Sequence, residues 1–245
     1  MKIINLLLII LCVPRLLRGQ EAPEDLSITH VTGDFYVYTT YHTYEGTPIS
    51  AHGLYLVTEQ GVVLIDTPWD STQFQPLLDS IQYRHQQPVV MCIATHSHAD
   101  RTAGLEYYRE QGIKTYTSTK TDEISIAQNA KRAEFHFKQD TTFTVGQYSF
   151  QTFYPGEGHT ADNIVVWFED ERLLHGGCFV KSAEATDLGY IGEANLKTWP
   201  GAIKKITKKF GQPDYVIAGH QDWTDNRSLQ HTLQLLKQHR KQSSR

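Results

Sequence analysis

One stretch constrains this chain more than any other: Ala94-Thr95-His96-Ser97-His98-Ala99-Asp100-Arg101, directly after the apolar run Val89-Val90-Met91-Cys92-Ile93. The run has the length and β-branched bias of a buried strand. Its polar sequel sets two imidazoles and a carboxylate on alternate residues where the chain leaves the sheet. Neutral imidazole suits zinc, and a carboxylate oxygen completes or joins such a site. The chain has 12 histidines in 245 residues, so a polar loop with scattered histidines is the plain alternative. The stretch gains its weight from what stands elsewhere.

Composition narrows the partners. A chain 40% hydrophobic and 20% charged is an ordinary globular balance, long enough for a sizeable core. The net charge of -4 and the lack of a long basic stretch speak against nucleic acid. Residues 1–19 stand apart: Lys2, an apolar Ile3–Val13 broken only by Asn5, then Pro14 and Gly19. This is the pattern of a secretory signal peptide, too short to span a membrane comfortably. The expectation is an exported, periplasmic, monomeric protein with one folded domain over 20–245 and no membrane partner after the signal is removed. No disulfide is expected between Cys92, which lies in an apolar strand, and Cys178, which follows Gly176-Gly177.

The remaining pattern is strand and helix in alternation. Residues 21–33 form a polar lead-in, Phe35–Thr40 a strand, and Tyr41–His52 a loop or hairpin tip carrying Gly46 and Pro48. Gly53–Glu59 and Gly61–Asp66 make a hairpin. A helix runs from Asp70 or Ser71 to about Tyr83, another over Thr102–Gln111, and a third from Ser118 or Thr119 to about Asn129. A second hairpin turns at Gly146-Gln147, and strands follow at Ile164–Phe168, Arg172–His175 and Asp214–Ala218. Asn195 caps a helix reaching Phe210, and Asp225 or Asn226 caps a closing helix. Two β-rich halves with helices between them imply an α/β fold of two packed sheets with helices outside.

Three further metal-donor candidates fall at strand ends: His159 in Gly158-His159-Thr160, Cys178 after Gly177, and His220 after Gly219. Adjacent glycines let the backbone turn sharply and approach closely. Asp66 closes an apolar strand, either to cap the turn or to orient metal ligands.

The order His96-Ser97-His98-Ala99-Asp100, His159, Cys178, His220 resembles the metallo-β-lactamase superfamily across the mature chain. Relatives such as glyoxalase II carry His after the motif Asp and a later bridging Asp. Arg101 and Cys178 stand here instead, and the pattern is similar to the first subclass of class B β-lactamases. The resemblance implies a four-layer αβ/βα sandwich with two mixed sheets face to face. It implies two Zn2+ per chain, one on His96, His98 and His159 and one on Asp100, Cys178 and His220. It further implies hydrolysis of the β-lactam amide of penicillins, cephalosporins and carbapenems by a metal-activated hydroxide, giving antibiotic resistance. His96, His98 and Asp100 would be the catalytic centre, and Lys181 would bind the substrate carboxylate. Tyr190 stands where much of the family has Asn. Tyr44 lies in a segment, Tyr41–Ser50, that matches a hairpin closing over substrate. Arg101, Asp66 and Thr160 would support the ligands. The rival readings are another hydrolase of the same fold, acting on a thioester, lactone or phosphoester, and a zinc-binding protein without turnover.

Overall fold

A computed structural model of the protein describes residues 26–138 and 140–243. The expected signal peptide lies outside the described residues. Seven strands form the first sheet, in the order of the chain: β1 (Leu26–Thr32), β2 (Phe35–Tyr44), β3 (Thr47–Thr58), β4 (Gly61–Ile65), β5 (Val89–Ile93), β6 (Lys114–Ser118) and β7 (Phe135–Phe137). β1 to β4 are antiparallel neighbours joined by short turns. β4 to β7 are parallel, so a helical crossover separates each pair. These are α1 (Phe74–His85), the short α2 (Ala99–Thr102) with α3 (Leu105–Glu110), and α4 (Thr119–Gln128).

The second sheet has five strands: β8 (Thr141–Val145), β9 (Tyr148–Phe153), β10 (Val165–Phe168), β11 (Leu173–Gly177) and β12 (Tyr215–Ala218). The first four are antiparallel, and β12 joins β11 in parallel after α5 (Trp199–Phe210). α6 (Ser228–Gln242) closes the described chain.

Alternation along the strands decides the layering. On β4, Val63 and Ile65 face the second sheet while Val62 and Leu64 face α1 and α3, and all four are buried. A strand buried on both faces has to be a continuous apolar run, as this one is. Between the sheets, Phe35, Leu54, Ile65 and Ile93 meet Phe150, Val166, Phe168 and Ile217. Outside the second sheet, Trp199, Ala202, Ile203, Ile206 and Phe210 give α5 one apolar face, which packs on Val165, Trp167 and Val216. The result is helix, sheet, sheet, helix: the α/β sandwich of two mixed sheets anticipated from the sequence. No helix among the described residues is long and apolar enough to cross a membrane.

Several local expectations are corrected. The polar lead-in carries β1, an edge strand whose weakly alternating Leu-Ser-Ile-Thr-His-Val-Thr draws its order from the ladder with β2. Residues 41–52 continue β2 and β3 through an unbroken register, Tyr44 opposite Thr47. Glu45 and Gly46 both take positive φ, 48° and 81°, as a two-residue primed turn requires. Glu at the first of those positions hides the signal that Asn or Asp would give. β7 is a three-residue edge strand whose pairing with β6 is its main support. Helix begins at Ala99, not Thr102, so Asp100 lies in the single turn of α2. Asn195 does not cap α5. Its Oδ1 accepts from the Lys197 and Thr198 N–H groups one turn earlier, and Thr198 occupies the cap position. Asp225 likewise accepts from the Arg227 N–H, ahead of the helix that opens at Ser228.

Phe35 is fully buried and sets its ring edge-on to Phe168 at 4.8 Å across the sheet interface. Phe35→Ala is expected to cost about 3–5 kcal/mol of stability. Urea unfolding followed by circular dichroism measures it, and a loss below about 1 kcal/mol would contradict this account of the core.

Candidate metal centre

β4, β5, β11 and β12 all release the chain toward one edge of the sandwich, and the polar residues gather where they end. His98 occupies the N-cap of α2 in extended backbone, with His96 two residues before it and Asp100 in the first turn. This local geometry separates the side chains of one short motif into two groups. The loop between β9 and β10 brings His159, β11 delivers Cys178, and β12 delivers His220.

In the first group, His98 Nδ1 faces His159 Nε2 at 3.2 Å, and His96 stands perpendicular to His159 with ring centroids 5.1 Å apart. His96 Nε2 is buried and has no hydrogen-bond partner among the described residues. In the second group, Cys178 Sγ lies 3.1 Å from Asp100 Oδ2 and 3.2 Å from His220 Nε2, and His220 Nε2 lies 3.1 Å from Asp100 Oδ2. Candidate donor atoms of His96, His98 and His159 lie within 4.8 Å of one another, as do those of His96, Asp100 and Cys178. Lone pairs that converge on one another and a buried imidazole nitrogen without a partner are unfavourable unless a cation sits among them. Nitrogen, thiolate and carboxylate are the donors zinc takes, so the residues present fit a metal.

The outer nitrogens of His98 and His220 are committed elsewhere, which leaves their inner ones for the site, whereas His159 Nδ1 has no hydrogen-bond partner among the described residues. His220 Nδ1 is 2.6 Å from the Ser50 carbonyl oxygen, and His98 Nε2 is 2.7 Å from Glu193 Oε2. Glu193 also accepts from Gln128 Nε2 at 3.2 Å. Beneath the second group lies the fully buried Arg101. Its Nη2 reaches Cys178 Sγ, Asp100 Oδ2 and the Gly219 carbonyl, each at 3.0 Å. Its Nη1 donates to the His52 carbonyl at 2.6 Å and lies 3.4 Å from Asp66 Oδ2. Gly219 is required here: a Cβ would meet Cys178 N at 2.6 Å and Arg101 Nη2 at 2.8 Å.

The charges follow from this packing. Burial would raise the Asp100 pKa, but the Arg101 guanidinium overrides it and holds the carboxyl at about 2. Burial opposes ionisation of Cys178 too, yet Arg101 and His220 keep the thiol well below its ordinary value. Burial depresses His159 to about 3, so it is neutral and able to donate a lone pair. His220 goes the other way: despite burial, the Cys178 thiolate and Asp100 raise it to about 9.

The remaining expected residues fall as follows. Lys181 Nζ lies 5.6 Å from the Trp199 ring, and burial lowers its pKa. Tyr190 is 62% exposed and sets its ring edge-to-face on His98 at 5.7 Å. Tyr44 is 55% exposed beside the hairpin turn. Asp66 accepts from the Thr95 N–H at 2.8 Å and pairs with His175 Nε2 at 2.8 Å. The Thr160 hydroxyl has no partner among the described residues, while the Thr160 backbone holds the turn around His159: its N–H donates to Asn163 Oδ1 and its carbonyl accepts from the Gly158 N–H at 3.1 Å. Cys92 and Cys178 are both free. Sequence reasoning passed over Glu193 and His175. A lone imidazole in the apolar run Leu173-Leu174-His175 was the available signal for the latter; Glu193 offered none.

A sandwich with its donors gathered at one strand edge defines a class, and the chain belongs to it: the model of the Metallo-beta-lactamase superfamily matches residues 48–228. The metallo-beta-lactamase type 2 of Elizabethkingia meningoseptica is 47% identical, over 90% of this chain and 88% of that one. Metallo-beta-lactamase IND-1 of Chryseobacterium indologenes is 43% identical, over 84% and 86%. The crystal structure of metallo-beta-lactamase IND-7 superposes with a TM-score of 0.84 at 42% identity, covering 87% of this chain and 99% of that one.

In metal-free protein the His220 ring is expected to titrate near pH 9. It is charged below that value and neutral above it, so its pairing with Asp100 and Cys178 weakens as pH rises through 9. Asp100→Asn removes one of the two anions and lowers that pKa. Proton NMR of the imidazole C2–H follows both, and a midpoint near 6.5 in the parent would contradict the assigned charges.

Proposed function

We propose that this chain is a zinc-dependent β-lactamase, with one zinc on His96, His98 and His159 and a second on Asp100, Cys178 and His220. It opens the cyclic amide of penicillins, cephalosporins and carbapenems and so confers resistance to them. The observation that carries the reading is the Asp100–Cys178–His220 triangle, with edges of 3.1–3.2 Å, set beside three converging imidazoles. Three protein donors per ion leave a coordination position open, as catalytic zinc does.

When bound, zinc lowers the pKa of a water from 15.7 to about 7 and polarises a carbonyl oxygen. The chain's own groups do the rest. Arg101 keeps Asp100 and Cys178 anionic without occupying their outward faces. Glu193 and the Ser50 carbonyl orient the imidazoles of His98 and His220. Lys181 binds the substrate carboxylate as a point charge. Tyr190 packs on His98 and therefore holds that ring instead of polarising the substrate carbonyl. Tyr44, on the exposed hairpin tip, covers bound substrate. No serine nucleophile takes part. The protein works as a monomer, a single folded unit over 20–245, carried to the periplasm by its leader, with no nucleic acid or membrane partner.

The rival hydrolase reading meets Arg101, whose guanidinium fills the place beside Asp100 and contacts Cys178. Nitrocefin and imipenem turnover, lost with chelator and regained with zinc, is the expected result. Folded, zinc-loaded protein that turns over neither would sink the reading. Lys181→Ala is expected to raise KM for anionic substrates roughly tenfold or more with kcat nearly unchanged, since a charge-assisted contact is worth about 1.5–3 kcal/mol; unaltered steady-state kinetics would remove Lys181 from substrate binding.

A further inference from the structure

His175 is a buried imidazole to which the hydrolytic reading gives no task. It lies on β11 on the same face as Leu173, so its ring points between the sheets, and it is fully buried. Nε2 is 2.8 Å from Asp66 Oδ2, while Nδ1 has no partner among the described residues. A hydrogen on Nδ1 would be an orphaned donor, so the ring carries its hydrogen on Nε2 and donates it to the carboxylate.

Asp66 in turn is held under constraint. It is a non-glycine residue at φ 70°, a conformation that persists only when its surroundings fix it. Oδ1 accepts from Thr95 N–H, and Oδ2 is shared between His175 at 2.8 Å and Arg101 Nη1 at 3.4 Å. The same guanidinium lies closer, at 3.0 Å, to both Cys178 Sγ and Asp100 Oδ2. Gly177, beside these contacts, takes a left-handed backbone at φ 52°, and a Cβ there would press on Thr95 Oγ1 at 3.2 Å.

We propose that His175 is a positioning residue for the Asp100–Cys178–His220 group: by holding Asp66 Oδ2 it keeps Arg101 turned toward Cys178 and Asp100. An aliphatic residue at 175 would leave Oδ2 buried with one long contact. The carboxylate then closes on Arg101 Nη1 and draws the guanidinium away from the thiolate. The imidazole therefore acts across the sheet interface on a metal-binding group it does not touch. The inference rests on the reading of that group as a zinc site.

Cobalt(II) titration of the whole chain tests it. The thiolate-to-cobalt charge-transfer band reports the Cys178 group, and the remaining ligand-field absorption reports the three-His group. In His175→Leu, the affinity of the Cys178 group is expected to fall tenfold or more, within the roughly 10–100-fold range for losing a partner of metal ligands, while the three-His group stays within about twofold. His175→Gln, which keeps an amide N–H to offer Asp66, restores most of the loss. Equal impairment by Leu and Gln, or parent-like binding by Leu, overturns the proposal. Should His175→Leu not fold, His175→Met, which likewise offers Asp66 no N–H, is read instead: the same selective loss supports the proposal and parent-like binding overturns it. A parent protein with no charge-transfer band would overturn the two-zinc reading itself, and with it this inference, which keeps the two failures apart.

Discussion

A single buried cation holds this structure's chemistry together. The Arg101 guanidinium is removed from water at the seam of the two sheets, where an unpaired charge would be prohibitively costly. It is tolerated because its Nη hydrogens meet carbonyls from β3 and just past β12, carboxylates just past β4 and in α2, and a thiolate just past β11, while Nε has no partner among the described residues. Those partners come from both sheets. The guanidinium therefore welds the layers at their functional edge and fixes where the anionic donors stand. The close backbone approach at Gly219 is the steric condition for it.

The packed layers explain why such a site is rigid. Most of its donors sit in the turn of α2 or follow closely on strands whose residues interlock between and outside the sheets, while His159 is carried by the loop between β9 and β10. His52 illustrates the coupling. Its N–H donates to the Gly219 carbonyl, its own carbonyl receives Arg101, and its ring joins the Gln221 carbonyl and, at 2.9 Å, the Thr39 hydroxyl. β3 thus bridges both sheets beside His220, and its Ser50 carbonyl sets that ring's orientation. By contrast, the turn at Glu45-Gly46 projects beyond this lattice, a free tip on a fixed ladder.

Much of this was legible before any coordinates. The apolar strands and the donors at their ends are local signals: a run of β-branched residues, a glycine, then a histidine or cysteine. The family pattern added the pairing of donors into two groups, and the structure brings those same residues together. What stayed hidden depends on distance along the chain. Glu193 meets His98 across 95 residues and His175 meets Asp66 across 109, and nothing in either neighbourhood announces the contact. The short edge strands β1 and β7 were missed because pairing, not propensity, makes them strands. Tyr41–His52 reads as a loop or hairpin tip because its polar and aromatic residues mask a continuous ladder, and the hairpin alternative is the one the structure adopts.

The wide sequence separation within the second donor group has a consequence in time. Asp100 and Cys178 are 78 residues apart, and His220 lies a further 42 along. A chain emerging N-terminus first presents His96 and His98 long before His220 exists, and the Gly219 carbonyl that Arg101 contacts comes later still than Cys178. The cradle can close only once nearly the whole polypeptide has been delivered. A cation held in that cradle can therefore be taken up only where folding finishes.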